Sequence, residues 1–342
     1  MVETLTVKKL TGKILICLAA LAVLMCICAL VGTQSISLSK VMQGPGQTDP
    51  NIDYQIFVGV RLPRLILAAL VGAALACAGV TLQAILRNPL ADPYILGISS
   101  GAGLGAIIAV IAGLSWTFLG GSPLTVCAFL GALATVWLVW CVGTIAGKHR
   151  VTSLLLAGVV VNAFFSAVIM FLTSIAKSSQ IRWTVFWLMG NITEKPWHIL
   201  CVSAICILAG IIGLFAISHR LNLLTFGDAE ARGLGVDTKK TTLLAFTFAA
   251  FITAVAVSLS GLIGFVGLII PHTVRLLFGP DHRQLIPLSA IIGSAFLVVA
   301  DTLARTIFGQ EQLPVGVITA IAGGPFFLIL LAKYSRKVSW LK

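Results

Sequence analysis

The chain has 342 residues, of which 58% are hydrophobic and only 10% charged. Soluble domains carry about 25% charged residues, so these proportions, with a mean hydropathy of +1.06, exclude a cytosolic enzyme, a disulfide-rich secreted domain and a disordered chain. The apolar runs are continuous over about 20 residues, as membrane-spanning helices require. They do not alternate as the strands of an outer-membrane barrel do. The net charge of +12 therefore concerns how basic residues are distributed about a lipid bilayer. No nucleic-acid partner is expected.

Ten spans are predicted in chain order: Ile14–Val31, Leu65–Leu86, Ile95–Leu114, Leu124–Ala146, Ser153–Ile175, Trp197–Ile217, Thr241–Leu259, Leu262–Leu277, Leu285–Ala300 and Val315–Tyr334. Lys8, Lys9 and Lys13 precede the first, as in a signal peptide. Its apolar core is long and no small-residue cleavage site follows it, so a retained anchor is expected. With both termini inside, sixteen of the 23 Lys and Arg residues fall in inner segments and seven in outer ones. That bias predicts an N-in, C-in orientation and an even number of spans. The expected fold is all-α and polytopic, with 1–342 forming a single transmembrane domain.

The seventh and eighth spans are separated only by Ser260-Gly261, and the eighth contains Pro271 and His272. An irregular join buried within the protein is expected there, because broken backbone at membrane depth must be kept from lipid. The stretch Ile181–Ile192 carries Trp183, Phe186 and Trp187 but is too short to span. A helix lying at the outer interface suits these aromatics. Gly101-x-Gly103-x-Gly105 lies in an apolar span with no strand before it, so close helix packing explains it better than a nucleotide loop. All eight cysteines lie in apolar runs without metal-ligand spacing, and reduced, packed thiols are expected.

Acids are almost absent from the deep interiors of the spans. Asp301 falls at the outer end of the ninth, while His272 and Arg275 lie toward the inner end of the eighth. A helix-end hydrogen-bonding role is expected for His272. No catalytic residue, metal site or nucleophile with its base is recognised. A proton- or cation-coupled carrier would need buried ionisable groups, so a transporter driven from elsewhere fits better. The alternative kept open is an ion-coupled secondary transporter of a small solute. An intramembrane enzyme would need a constellation that is missing.

The longest inner loop, 219–240, offers an entry for that energy. Asp228 can cap a short helix, Ala229–Arg232 can continue it, and Gly233 and Gly235 can end it. Leu224, Phe226 and Leu234 add exposed apolar area. Two readings fit these residues: a docking element for a partner's groove, or an amphipathic loop resting on the bilayer surface.

Five stretches in order carry a resemblance: Arg61-Leu62-Pro63-Arg64; Gln83 to Pro93 with Gly97 to Ala102; Gly227 to Val236; Gly261 to His272; and Leu313 to Gly316. From Arg61 to about Tyr334 the chain resembles the permease subunit of ABC importers for iron chelates, haem and cobalamin, the FecCD-type permease family. That resemblance implies the type II importer fold in the bacterial cytoplasmic (inner) membrane. It implies a homodimer around a central pathway, two copies of a cytoplasmic ATPase and an extracytoplasmic substrate-binding protein. ATP and Mg would be used by the ATPase, with no cofactor bound by this chain.

By position, the resemblance implies ATPase coupling through Phe226, Gly227, Asp228, Glu230, Arg232, Gly233, Leu234 and Gly235. It implies docking of the binding protein at Arg61, Arg64 and Arg305, where planar guanidinium forks suit carboxylates. Interfacial snorkelling, or pairing with Asp301 and Glu311, is the competing reading of those arginines. Cytoplasmic gates are implied at Asn88 and Leu90 and at Thr152 and Ser153, although Asn88-Pro89 is also a good turn and Thr152 or Ser153 a good helix cap. The fifth and tenth spans would line the pathway with weakly polar walls such as Asn162, Ser166 and Thr319. Weak wall contacts suit passage. Ferric siderophore is the first expected cargo, with haem or cobalamin next.

Overall fold

The computed structural model describes residues 6–45, 51–116, 121–145, 150–307 and 312–339, except the side chains at 144, 145, 150–152, 330, 331 and 333–339. Among these residues, seven helices are long and apolar enough to cross a membrane, and three shorter apolar helices join them. Together they supply the ten predicted spans. The long ones are α1 (Val7–Leu30), α2 (Leu62–Ile85), α4 (Pro123–Ile145), α5 (Arg150–Ile175), α7 (Trp197–Ala216), α10 (Thr238–Ser260) and α12 (His282–Thr306). The short ones are α3 (Ile98–Ile111), α11 (Val266–Phe278) and α13 (Val315–Ser339, apolar to Ile329). Three of the non-spanning helices bear on the site: α6 (Ser178–Leu188), α8 (Ser218–Leu224) and α9 (Asp228–Gly233).

Helix α2 forms the hub. It continues from a π-helical turn at Ile56–Arg61, and Pro63, which has no N–H to donate, follows directly where the wider turn ends. Nearly every later residue of α2 is buried, and α12, α10 and α11 pack around it. Its small side chains let backbones come close, as helices in lipid require. A Cβ at Gly79 would stand 1.9 Å from the Gly267 carbonyl oxygen of α11. The glycines of α3 act likewise against α4: a Cβ at Gly105 would lie 2.1 Å from the Cys127 carbonyl oxygen. Packing, not phosphate binding, accounts for that stretch.

The seventh and eighth spans meet through a broken segment, as expected. Helix α10 ends at Ser260, and Gly261 (φ 67°) and Phe265 (φ 69°) take left-handed conformations before α11 begins. The segment is enclosed by protein: the Asn191 N–H donates to the Ser260 carbonyl at 2.8 Å, and the Ile263 N–H donates to the Tyr94 hydroxyl. Within α11, Pro271 cannot donate to the Gly267 carbonyl. Gln83 Nε2 from α2 donates to that carbonyl at 3.3 Å instead, a case of a neighbouring helix satisfying a freed backbone group.

Several boundaries shift for local reasons. The third span begins three residues late because Asp92 caps a 3₁₀ turn at Pro93–Leu96 and Gly97 (φ 74°) reverses the chain. The interfacial helix runs over Ser178–Leu188, earlier than 181–192, because Gly190 (φ 72°) ends it. Trp183 and Phe186 are exposed upon it, as an aromatic belt requires.

Candidate functional site

The loop at 219–240, on the inner face, folds as the two short helices α8 and α9. Gly227 (φ 130°) occupies the N-cap position of α9, so Asp228 stands one residue inside the helix instead of capping it. The Ala231 N–H donates to the Gly227 carbonyl at 3.0 Å. Arg232 Nε donates back to the Asp228 carbonyl at 3.0 Å. Gly235 (φ 82°) follows the helix in the left-handed region that glycine tolerates. Phe226 and Leu234 are 71% and 64% exposed, and Glu230, Arg232 and Gly233 are exposed beside them. Leu224 departs from expectation. It is 2% exposed because it closes α8 against the helical core, so the apolar surface offered outward comes from Phe226 and Leu234.

The segment is anchored by a pair of residues that sequence reasoning passed over. Asn222 Nδ2 of α8 donates to Asp281 Oδ1 at 2.8 Å, and Asn222 Oδ1 accepts from the His282 N–H at 2.8 Å. Asp281 also caps α12 and receives a fork from Arg283, with Nε to Oδ2 at 3.0 Å. Burial pushes the Asp281 carboxyl upward, but bonds from Arg283 and Asn222 outweigh it and hold the acid down at about 2. The partners are separated by about sixty residues, so no local spacing could have shown them.

The inner turn between α2 and α3 carries Asn88 and Leu90. The Leu90 N–H donates to Asn88 Oδ1 at 2.9 Å, and the Asn88 N–H donates to the Gln83 carbonyl at 3.2 Å. Both side chains are half-buried. Ser153 is half-buried in the first turns of α5, whereas the side chain of Thr152 lies outside the described residues. The two gate regions belong to packed elements: a Cβ at Gly158 of α5 would lie 2.7 Å from the Ile95 carbonyl of the 3₁₀ turn.

Between α3 and α5 opens a cleft of about 700 Å³, with Asn162 and Ser166 in its wall. Tyr94, Ser99, Ser100, Thr173 and Ser174 line it too. Ser99 and Ser100 were visible in the motif but had been read only as part of a match. An adjoining hollow of about 600 Å³ shares Tyr94, Leu188 and Leu262 and extends along α13 past Gly316 and Ala320. The fifth and tenth spans thus flank this region. Thr319 does not contribute. It is fully buried, and its hydroxyl donates to the Gly316 carbonyl one turn back at 3.0 Å, since a helix interior offers a threonine that acceptor and the cleft lies on another face.

At the outer end, Arg61, Arg64 and Arg305 are only 4%, 4% and 7% exposed. Arg64 grips Asp301 through Nε and Nη2, both at 3.0 Å to Oδ1, and Nη1 donates to Gln312 Oε1 at 2.7 Å. Arg305 Nε lies 3.3 Å from Asp301 Oδ2, one helical turn on. Arg61 donates to the carbonyls of Ala29, Leu30 and Gln34. Arg61 and Arg64 donate inside the subunit and Arg305 Nη2 donates to the Thr302 hydroxyl at 3.2 Å, while Arg305 Nε is buried without a hydrogen-bond acceptor. Pairing with Asp301 describes Arg64 and Arg305, and Arg61 is held by backbone carbonyls instead. Glu311 lies outside the described residues.

Among the described residues, ten apolar helices surround a broken segment enclosed by protein, and a short exposed helix lies on the inner face. A model of the FecCD transport family matches residues 20–333. The chain belongs to that family. It is 45% identical over 278 residues to the cobalamin import system permease protein BtuC of Halobacterium salinarum, covering 81% of this chain and 73% of that one. It is 38% identical to the hemin transport system permease protein HmuU of Yersinia pestis, covering 94% and 97%. A solved ABC transporter of metal-chelate type, in an inward-facing conformation, superimposes with a TM-score of 0.80 at 33% identity, over 92% of this chain and 98% of that one.

As a FecCD protein the chain is the permease subunit of an ABC importer, a multi-pass protein of the bacterial cytoplasmic membrane with the type II fold. It is not itself the enzyme: hydrolysis belongs to a separate ATPase subunit, and a substrate-binding protein is the other partner class of such permeases. This explains why the spans hold no relay of acids.

Proposed function

We propose that two copies of this chain enclose a pathway through which a metal chelate passes by alternating access. Ferric siderophore is the first choice of cargo, and haem or cobalamin the next. The chain acts as one permease domain, 1–342, with the coupling loop at 219–240. Two ATPase subunits bind the inner face and carry the ATP and Mg. The observation that carries the reading is the exposed α9 with Phe226 and Leu234 turned outward. Apolar side chains on a short, charged-rimmed helix are a liability in water and an anchor in a partner's groove. Phe226, Gly227, Asp228, Glu230, Arg232, Gly233, Leu234 and Gly235 make that contact.

The gate comprises Asn88, Leu90, Thr152 and Ser153, small or medium side chains that can part without stranding a charge. Asn162 and Ser166 line the path, and weak polarity there lets cargo leave as easily as it enters. Arg61, Arg64 and Arg305 serve binding-protein docking through their field. With Asp301 as their acid, the three arginines sum to two positive charges at the outer rim, which steers an acidic surface toward it.

The test is affinity purification from the native host in mild detergent, followed by mass spectrometry. The natural chain should bring down a soluble ATPase. A variant with Asp228→Lys, Glu230→Lys and Arg232→Glu should fold and lose it. Recovery of the ATPase by both proteins would overturn the coupling assignment. Uptake that survives ATP depletion but stops when the proton gradient collapses would overturn the ATP-driven reading.

A further inference from the structure

One side chain joins the inner gate turn to the coupling segment. Arg87 follows the C-terminus of α2 with a φ of 47°, a left-handed conformation uncommon for a residue bearing a Cβ. Held there, its Nε donates to the Leu224 carbonyl at 3.0 Å, and its Nη2 pairs with the Asp228 carboxylate. Leu224 ends α8 and Asp228 opens α9. A single guanidinium therefore clasps both sides of the short link that carries the exposed Phe226. The Leu224 carbonyl also accepts from the Gly227 N–H at 3.3 Å, so Arg87 takes the second lone pair of a helix-end acceptor.

Behind Arg87 the turn is closely braced. Asn88 and Leu90 are fixed by the bonds already described, and Gln83 Nε2 donates to the Ala91 carbonyl at 3.5 Å. Arg275 Nη2 of α11 donates to Gln83 Oε1 at 3.1 Å. Asp92 Oδ1 accepts from the Tyr94 N–H at 2.9 Å. The Tyr94 ring lines the cleft, and its hydroxyl accepts from the Ile263 N–H in the broken join. A run of hydrogen bonds thus connects the coupling helix with the cleft wall.

The Arg87–Asp228 pair does not exist to hold the fold together. Its side chains are 36% and 52% exposed, and surface pairs of that kind add little stability. A planar fork that meets a carbonyl and a carboxylate at once fixes geometry more than it adds stability.

We propose that Arg87 is a positioning residue that ties the coupling helix to the inner gate turn, so that a shift of α9 is passed to Asn88 and Leu90. This rests on the coupling role proposed above for α9. The physical requirement is that both ends occupy two discrete arrangements, and the experiment reads the gate end directly.

The full permease would be reconstituted with its ATPase in proteoliposomes, in a background with the eight native cysteines replaced. Leu90→Cys then reports the gate turn by its labelling rate with a membrane-impermeant maleimide, with and without ATP plus vanadate. The nucleotide-dependent change in labelling should shrink roughly two- to thirty-fold in Arg87→Ala, the span that such couplings cover. ATPase binding and ATP hydrolysis should persist in that variant. Arg87→Lys should fall between, because an ammonium cannot present the same fork.

An equal nucleotide response in Arg87→Ala and the Arg87 protein would overturn the proposal. So would a Leu90→Cys site that ignores nucleotide with Arg87 in place, or loss of the ATPase from Arg87→Ala, which would make Arg87 part of the docking surface. Failure of the ATPase to join the Arg87 protein at all would fall on the coupling reading instead.

Discussion

The outer arginine cluster and the inner coupling segment invite the same first reading, since each places charge at a membrane face where a partner must bind. Their surroundings differ. Outside, Arg64 and Arg305 share the fully buried Asp301, and Arg61 is fastened to three backbone carbonyls. Inside, Asp228, Glu230 and Arg232 are exposed, together with the apolar Phe226 and Leu234. A charge whose donors are engaged within its own subunit organises that subunit and reaches a partner only through its field. An exposed charge beside exposed apolar surface is available for contact.

Breaking the outer cluster should give the largest effect. Asp301→Asn strands two buried guanidiniums, and removing one member of a buried ion network costs about 3–5 kcal/mol. Thermal unfolding in detergent should show that loss, and unchanged stability would mean that water or lipid headgroups already compensate these arginines.

A smaller effect is expected where the coupling segment meets α12. The Asp281 carboxyl is held at about 2, below its value in an unfolded chain of about 3.9. An acid depressed by folding contributes stability that is complete above its unfolded value and is lost as pH falls toward the folded one. Between about pH 4 and pH 2, Asp281→Asn should flatten the acid dependence of unfolding. A profile identical to the unsubstituted protein would remove Asp281 from that role.

The smallest stability change belongs to the coupling face. Phe226→Ser with Leu234→Ser should leave unfolding within about 0.5 kcal/mol, as exposed substitutions generally do. The same variant should release the ATPase in co-purification. Marked destabilisation would instead mean that these side chains pack against the subunit or the bilayer.

Much of this protein was legible because its signals are local. Apolar runs set the spans, and the bias of Lys and Arg set the orientation. The motif residues drew attention to the loop at 219–240 and the turn at Asn88 and Leu90, and the polar side chains of the fifth span to Asn162 and Ser166. Leu224, expected to be exposed, is buried because α8 turns it inward, and a step of one residue, about 100° around a helix, decides between core and surface.

What the sequence determined by itself is the class: an all-helical membrane protein with ten apolar segments. A segment's hydropathy depends on its own residues, and lipid leaves the backbone few alternatives to a helix. What only the tertiary structure decided is where charges and carbonyls find partners. Arg64 meets Asp301 across 237 positions, Arg87 meets Asp228 across 141, and Gln83 reaches the carbonyl freed by Pro271 across 184. Such pairings depend on how helices dock, and the small-residue contacts that govern docking leave no period in the sequence from which a partner can be read.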